Sequence, residues 1–280
     1  MTKPVINICL AELLGKIDKK SIPIIKEFGV NWVELYFLGN VDKNNVTEVK
    51  KVLDANKIFV SALNLWTPSF WKKEEIENGN LGQHIKDGIS VAKVLNTKFI
   101  IIYGVLKNKE TEIDSIDNYI KRMEPIVKEA KKEGMIVVIE NDYDINGIEL
   151  TRNALTTRKI IEMFRNDNVF INFDPCNYLV AGEEPFPYGY DIIKKYIRYI
   201  HLKDATQYVL EKHGKVPVQK DFSGEYACVP LGEGAVNHYG LIKQLLKDGY
   251  DGFLSIEPHV KKEEVAAAIK KGLTFLSEII

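Results

Sequence analysis

Eight short runs of apolar, largely β-branched residues recur along the chain. They are VINIC (5–9), WVELYF (32–37), IFVSALN (58–64), FIIIYG (99–104), IVVIEN (136–141), VFINFD (169–174), YIHLKD (199–204) and FLSIEP (253–258). Continuous apolar runs of this length suit strands buried on both faces, as a helix-covered parallel sheet requires. Between them lie Lys/Glu-rich amphipathic segments of helical length, such as IDNYIKRMEPIVKEAKKEG (116–134). Several of these end on Gly or Asn just before the next run: FGV (28–30), ANK (55–57), LNT (95–97), EGM (133–135) and DGY (248–250). Gly and Asn tolerate the left-handed turn that closes a helix, so these positions read as C-caps. Eight strands alternating with helices over about 250 residues predict an α/β fold, a single (β/α)8 TIM barrel. A doubly wound sheet fits less well, because it usually has fewer strands and no GxGxxG follows the first run. No Pro/Gly/Ser-rich linker divides the chain, so residues 1–280 read as one domain. The longest irregular stretch, 205–231, follows the seventh run and is a candidate lid.

Charge and cysteine usage narrow the partners. Lys plus Arg number 38 and Asp plus Glu 39, a net charge of −1. That balance gives no electrostatic footprint for nucleic acid or an anionic membrane. Lysines interspersed with glutamates, as in KKEEIEN (72–78), read as solvated helix faces. The three cysteines, Cys9, Cys176 and Cys228, are isolated. They argue against a disulfide framework or a structural zinc site and suit a reducing cytoplasm. The N-terminus is apolar for only a few residues before Glu12, unlike a signal peptide. The longest apolar run, FIIIYGVL (99–106), is too short to span a bilayer. The expectation is a soluble cytoplasmic protein with a small-molecule partner, no nucleic acid and no membrane, with a homo-oligomer left open.

In a barrel, chemistry sits where strands end at the C-terminal face. The second run carries Glu34 and the third ends in Asn64. The fifth to eighth carry Glu140, Asp174, His201 and Glu257, which brings three carboxylates and one imidazole to one mouth. Carboxylates buried near one another repel unless protons or a cation intervene. A divalent metal removes that objection. Three oxygens and one nitrogen suit Mn²⁺ first, with Mg²⁺, Co²⁺ or Zn²⁺ as alternatives. Any one of these residues alone could equally pair with a lysine or cap a helix, so the inference rests on the set.

VVIEN (137–141), NFDPCN (172–177), YIHLKDA (199–205), PLGEG (230–234) and YDGFLSIEP (250–258) resemble the sugar phosphate isomerase/epimerase family of the xylose isomerase-like TIM barrels, whose D-tagatose 3-epimerase members are well understood. GVNWVELYF (29–37) is similar to the family's second-strand signature. The resemblance implies that Glu140, Asp174, His201 and Glu257 ligate a metal, and that Glu140 and Glu257 also form the acid/base pair. The sequence departs from the keto-sugar 3-epimerases at three positions. Asn177 stands where they have a histidine, Gln207 where they have an arginine, and Asn146 where they have a substrate-binding glutamate. The metal site is kept and the ketohexose-recognising residues are not.

The chemistry implied is removal of a proton from the carbon next to a carbonyl, giving an enediolate that a metal stabilises as a Lewis acid. Glu34, Asn64, Asn177 and His259 are candidate hydroxyl-binding groups, with capping and turn roles as alternatives for the first three. Trp66 could stack on a sugar, whereas Phe70 and Trp71 read as packing a loop on the rim. Strand alternation turns Lys203 inward with His201. Lys203 could contact a substrate oxygen or pair with Asp204 or Glu257. The amides of GEG (232–234) could cradle a phosphate or form a tight hinge. Cys176 lacks a histidine partner and is not read as a nucleophile. The leading expectation is a metal-dependent isomerase or epimerase of a ketose sugar or sugar phosphate. The alternatives are a metal-dependent dehydratase of the inosose or dehydroshikimate type, and a non-catalytic sugar- or metal-binding barrel.

Overall fold

The computed structural model describes residues 3–65, 80–103, 107, 111–144 and 148–280. The strands are β1 (Val5–Cys9), β2 (Trp32–Tyr36), β3 (Phe59–Asn64), β4 (Phe99–Tyr103), β5 (Ile136–Glu140), β6 (Val169–Phe173), β7 (Ile197–Leu202), β8 (Asp204–Gln207), β9 (Val218–Asp221), β10 (Gly224–Val229) and β11 (Phe253–Ile256). The α-helices are α1 (Ser21–Lys26), α2 (Val46–Ala55), α3 (Asn80–Leu95), α4 (Glu112–Lys132), α5 (Ala154–Phe164), α6 (Pro175–Val180), α7 (Tyr190–Ile193), α8 (Leu210–His213), α9 (His238–Lys247) and α10 (Val265–Ser277). The eight apolar runs form parallel strands that close in the order β1-β2-β3-β4-β5-β6-β7-β11, the last pairing back onto β1. Among the described residues no helix is long and apolar enough to cross a membrane.

Alternation along each strand sorts the core into two compartments. Ile100, Ile102, Val137, Ile139, Ile200 and Leu202 join the layer that holds Ile116, Met123 and Val127 of α4. Ala62, Ile101, Val138 and Tyr199 form a separate cluster, against which Phe99 and Phe253 pack. Aromatic rings extend that cluster: Tyr199 lies 5.7 Å from Phe253, and Trp32 lies 5.2 Å from Phe253 and 5.0 Å from Phe59, centroid to centroid.

Four of the five expected helix ends use the residue expected, with Gly29, Asn96, Gly134 and Gly249 at positive φ. The fifth differs. Lys57, not Asn56, takes the left-handed conformation, at φ 57°. The Asn56 side-chain amide donates back to the Val52 carbonyl at 2.9 Å, covering a carbonyl of the last turn, and the chain reverses one residue later.

Residues 205–231, expected to be irregular, hold an ordered sheet instead. β8, β10 and β9 pair antiparallel in that order. Polar contacts fasten this sheet to the barrel rim. Tyr143 donates to the Gln219 side chain, Arg152 pairs with Asp221, and Ser223 Oγ donates to the Val180 carbonyl.

Candidate active site

Glu140 is the last residue of β5, Asp174 follows β6, His201 lies in β7 and Glu257 follows β11. All four are buried, and one ligand atom from each falls within 4.8 Å of every other. Local sequence explains how Asp174 is aimed. It is the N-cap of α6, followed by Pro175 in the first turn, and its Oδ1 accepts from the Asn177 amide at 3.0 Å. That commits one carboxylate oxygen to the helix and leaves Oδ2 for the barrel mouth. Asn141 clamps the ends of β5 and β6 together. It accepts from the Asp174 amide and donates to the Asp174 carbonyl, both at 2.8 Å.

His201 is oriented by Glu34. Its Nε2 lies 2.9 Å from Glu34 Oε2, and the same oxygen accepts from Tyr199 OH at 3.0 Å and Ser255 Oγ at 2.9 Å. A carboxylate only accepts, so Nε2 carries hydrogen. Nδ1 then faces two more carboxylate oxygens, Glu140 Oε2 at 3.1 Å and Glu257 Oε2 at 3.2 Å. A lone pair there would meet like charge, so a proton or a metal cation must lie between them. In the metal-free chain the surrounding carboxylates favour the proton. Burial alone would lower the imidazole pKa, but Glu140, Glu257 and Glu34 raise it well above the ordinary value. Among the described residues, the buried His201 Nδ1 and Asp174 Oδ2 meet only charged groups, Nδ1 the two glutamates and Oδ2 the Lys203 ammonium. Three carboxylate oxygens and one imidazole nitrogen converging out of water are the donor set a divalent cation takes, so the residues present fit a metal.

The two glutamates sit in different fields. Burial and the nearby Glu257 and Asp174 push Glu140 up to about 7, against the pull of His201. Asn172 donates to its Oε2 at 3.0 Å and Asn177 to its Oε1 at 3.3 Å. Burial would raise Glu257 too, but His201 and His259 hold it well below the usual carboxylate range. Lys203 supplies the remaining positive charge. Its buried ammonium lies 2.8 Å from Asp174 Oδ2 and 3.9 Å from Glu257 Oε2. Burial opposes that charge, yet Asp174 and Glu257 keep the ammonium well above the ordinary lysine value.

The other sequence candidates separate. Asp204 does not pair with Lys203. Its carboxylate accepts from the amides of Ala205, Gly232, Gly234 and Val236 at 2.9–3.2 Å. The GEG amides considered for a phosphate are therefore filled by the chain's own anion. A Cβ at Gly234 would come 2.0 Å from Asp204 Oδ1, which explains the glycine there. Asn177 and His259 do reach the cluster, His259 Nε2 lying 3.5 Å from Glu257 Oε2. Asn64 donates to Tyr103 OH at 2.8 Å and, more weakly, to Glu34 Oε1 at 3.4 Å. Gln207 ends β8 in an exposed position. Trp66, Phe70, Trp71 and Asn146 lie outside the described residues. All three cysteines are free and buried, and burial pushes the Cys176 thiol up.

Sequence reading missed Tyr36, Tyr103, Asn172, Tyr199 and Ser255. Tyr36 OH donates to Glu257 Oε1 at 2.8 Å and lies 3.1 Å from Tyr103 OH. Period-two alternation was the available signal, since Tyr36 is two residues after Glu34 and Tyr199 two before His201.

This barrel is shared with known proteins. The chain is similar to the crystal structure of 3-keto-D-glucoside 4-epimerase from E. coli, with a TM-score of 0.73 at 16% identity, covering 99% of this chain and 100% of that one. It is also similar to D-allulose 3-epimerase from Methylomonas sp. in complex with D-allulose, with a TM-score of 0.73 at 13% identity, covering 100% and 98%. A third likeness is to the probable 3-DHS dehydratase of Bacillus anthracis, with a TM-score of 0.72 at 16% identity, covering 98% of each chain. At such identities these likenesses show the fold alone. No curated protein matches the chain by sequence. The family described as xylose isomerase-like TIM barrel matches residues 22–279, nearly the whole chain. With the closed eight-stranded barrel, that match establishes that the chain belongs to the xylose isomerase-like TIM barrel family.

Proposed function

We propose that this chain is a divalent-metal-dependent isomerase or epimerase of a ketose sugar or sugar phosphate. The observation that carries the reading is the convergence of Glu140, Asp174, His201 and Glu257, all buried, with one ligand atom from each within 4.8 Å of every other. When bound, a divalent ion of the Mn²⁺ type supplies Lewis-acid polarisation of a substrate carbonyl. The chain's own residues do the rest. Glu34 keeps hydrogen on His201 Nε2 and so presents Nδ1 as a donor atom. Glu140 and Glu257 flank the mouth as the acid/base pair, one taking a proton from the carbon beside the carbonyl while the other returns one. Lys203 offers an ammonium to a substrate oxygen on which negative charge develops. Asn177 and His259 are assigned to substrate hydroxyls. Glu34 and Asn64, considered for the same task, are assigned instead to holding His201 and Tyr103.

The test is incubation of Mn²⁺-loaded protein with candidate ketoses and ketose phosphates in D₂O. An isomerase or epimerase incorporates deuterium at carbon and conserves substrate plus product. Glu140→Gln and Glu257→Gln are each expected to slow exchange by about 10²–10⁴-fold, the usual worth of a positioned acid or base. Loss of water in place of exchange would assign the chain to a dehydratase. Near-wild-type exchange in either variant with metal still bound would contradict the acid/base assignment.

A further inference from the structure

The β2–β4 side of the mouth carries a directed chain of hydrogen bonds that ends on a candidate ligand. Asn64 Nδ2 donates to Tyr103 OH at 2.8 Å, Tyr103 OH and Tyr36 OH are 3.1 Å apart, and Tyr36 OH meets Glu257 Oε1 at 2.8 Å. The chemistry of the end groups sets the direction. An amide nitrogen can only donate and a carboxylate can only accept. With the Tyr36 hydrogen given to Glu257, the bond between the two phenols is donated by Tyr103, and this line of bonds runs from Asn64 toward Glu257. Bonds aligned head to tail polarise one another, and the last is charge-assisted because its acceptor is a carboxylate. Asn64 Nδ2 also lies 3.4 Å from Glu34 Oε1, and Glu34 Oε2 holds His201 Nε2 at 2.9 Å. Asn64 therefore donates into two arms, one running through Tyr103 and Tyr36 to Glu257 and the other through the Glu34 carboxylate to His201.

We infer that Tyr36 and Tyr103 are positioning residues for the metal ligand Glu257. Tyr36 fixes Oε1, so that only Oε2 faces His201 Nδ1 and Lys203, and the carboxylate is presented through a single oxygen. Tyr103, held by Asn64, keeps the Tyr36 hydroxyl aimed. Both phenols lie on strands that contribute no residue to the four-residue set. The inference rests on the metal-dependent reading proposed above.

The test is calorimetric titration of MnCl₂ into chelator-treated wild type, Tyr36→Phe and Tyr103→Phe, with circular dichroism to confirm folding. Partners that orient metal ligands typically cost 10–100-fold in affinity or activity when removed. Tyr36→Phe is expected to weaken Mn²⁺ binding about 10–100-fold and to alter the electron paramagnetic resonance spectrum of the bound ion. Tyr103→Phe, one bond further out, should weaken binding by a smaller factor. Wild-type affinity and spectrum in both variants would overturn the inference, whether or not melting temperature or substrate KM moved. Absence of Mn²⁺ binding by wild type would overturn the functional reading and this inference with it, a result distinct from unaltered binding in the variants.

Discussion

The two sides of the barrel mouth solve different problems. The side built by β5, β6, β7 and β11 gathers charge, bringing Glu140, Asp174, His201, Lys203 and Glu257 together out of water. The side built by β2, β3 and β4 presents Tyr36, Asn64 and Tyr103, whose hydrogen bonds run toward that charge, with Glu34 as its one carboxylate in the network. Charge concentrated in a low-dielectric site is attractive to a cation but poorly directed on its own. Neutral donors add direction, because each bond has a preferred line and a forced polarity. On the proposed reading the charged side attracts a cation, and the other side orients two of its residues, Glu257 through Tyr36 and His201 through Glu34.

The sharpest way to break this division is to remove the built-in cation. Breaking a buried ion pair from one partner costs about 3–5 kcal/mol, because the other charge is left uncompensated. Lys203→Met should therefore destabilise the metal-free protein by about that amount in denaturant unfolding. Saturating Mn²⁺ should recover much of the loss, since a divalent ion offsets the same carboxylates. An equal loss with and without Mn²⁺ would show that Lys203 only packs.

Glu34→Gln probes the joint between the two sides. A neutral amide can meet His201 Nε2 through its oxygen but supplies no charge to hold the imidazole hydrogen there. The expected result is a 10–100-fold weaker Mn²⁺ affinity with the fold retained. Unaltered affinity would mean that the two sides act independently.

A third effect depends on pH. Glu140 rises from an ordinary value of 4.5 to about 7 in the folded chain, so between those values the folded state binds more protons than the unfolded one. Stability from this group is fully present below about 4.5 and is lost as pH rises through about 7. His201, also raised, acts in the same direction. Metal-free protein should melt at a lower temperature at pH 8 than at pH 5, and scanning calorimetry at several pH values checks this. A melting temperature that rises over the interval would contradict the crowding of charge described here.

The smallest effect belongs to the neutral side. Asn64→Leu removes a hydrogen bond to Tyr103 and should cost about 1 kcal/mol of stability, with a measurable but minor change in Mn²⁺ affinity. A loss larger than that of Lys203→Met would reverse the comparison.

The barrel was legible because strands buried on both faces must be apolar throughout, and all eight runs fall within two residues of their strands. Glu140, Asp174 and Glu257 stood out for the complementary reason: carboxylates at the ends of such runs are out of place unless something binds them, and His201 was read as a ligand candidate only beside those three. Tyr36, Tyr103 and Tyr199 were not, because tyrosine is an ordinary strand residue and its hydroxyl partners come from distant strands. The sheet at 204–229 was missed because DATQ, VQKD and GEYACV are short and polar, as solvent-facing antiparallel strands can be. Ser223–Gly224, near the β9–β10 turn, was the available hint. The fates of Lys203 and Asp204 could not be separated in sequence. Their partners, Asp174 and the amides of residues 232–236, lie about thirty residues away on either side.

The most direct test is titration of Mn²⁺ into chelator-treated protein, followed by ion content after gel filtration. The account predicts one divalent ion per chain in wild type, and none retained by an Asp174→Asn, His201→Gln double variant with wild-type circular dichroism. No uptake by wild type, or undiminished uptake by the double variant, would contradict it.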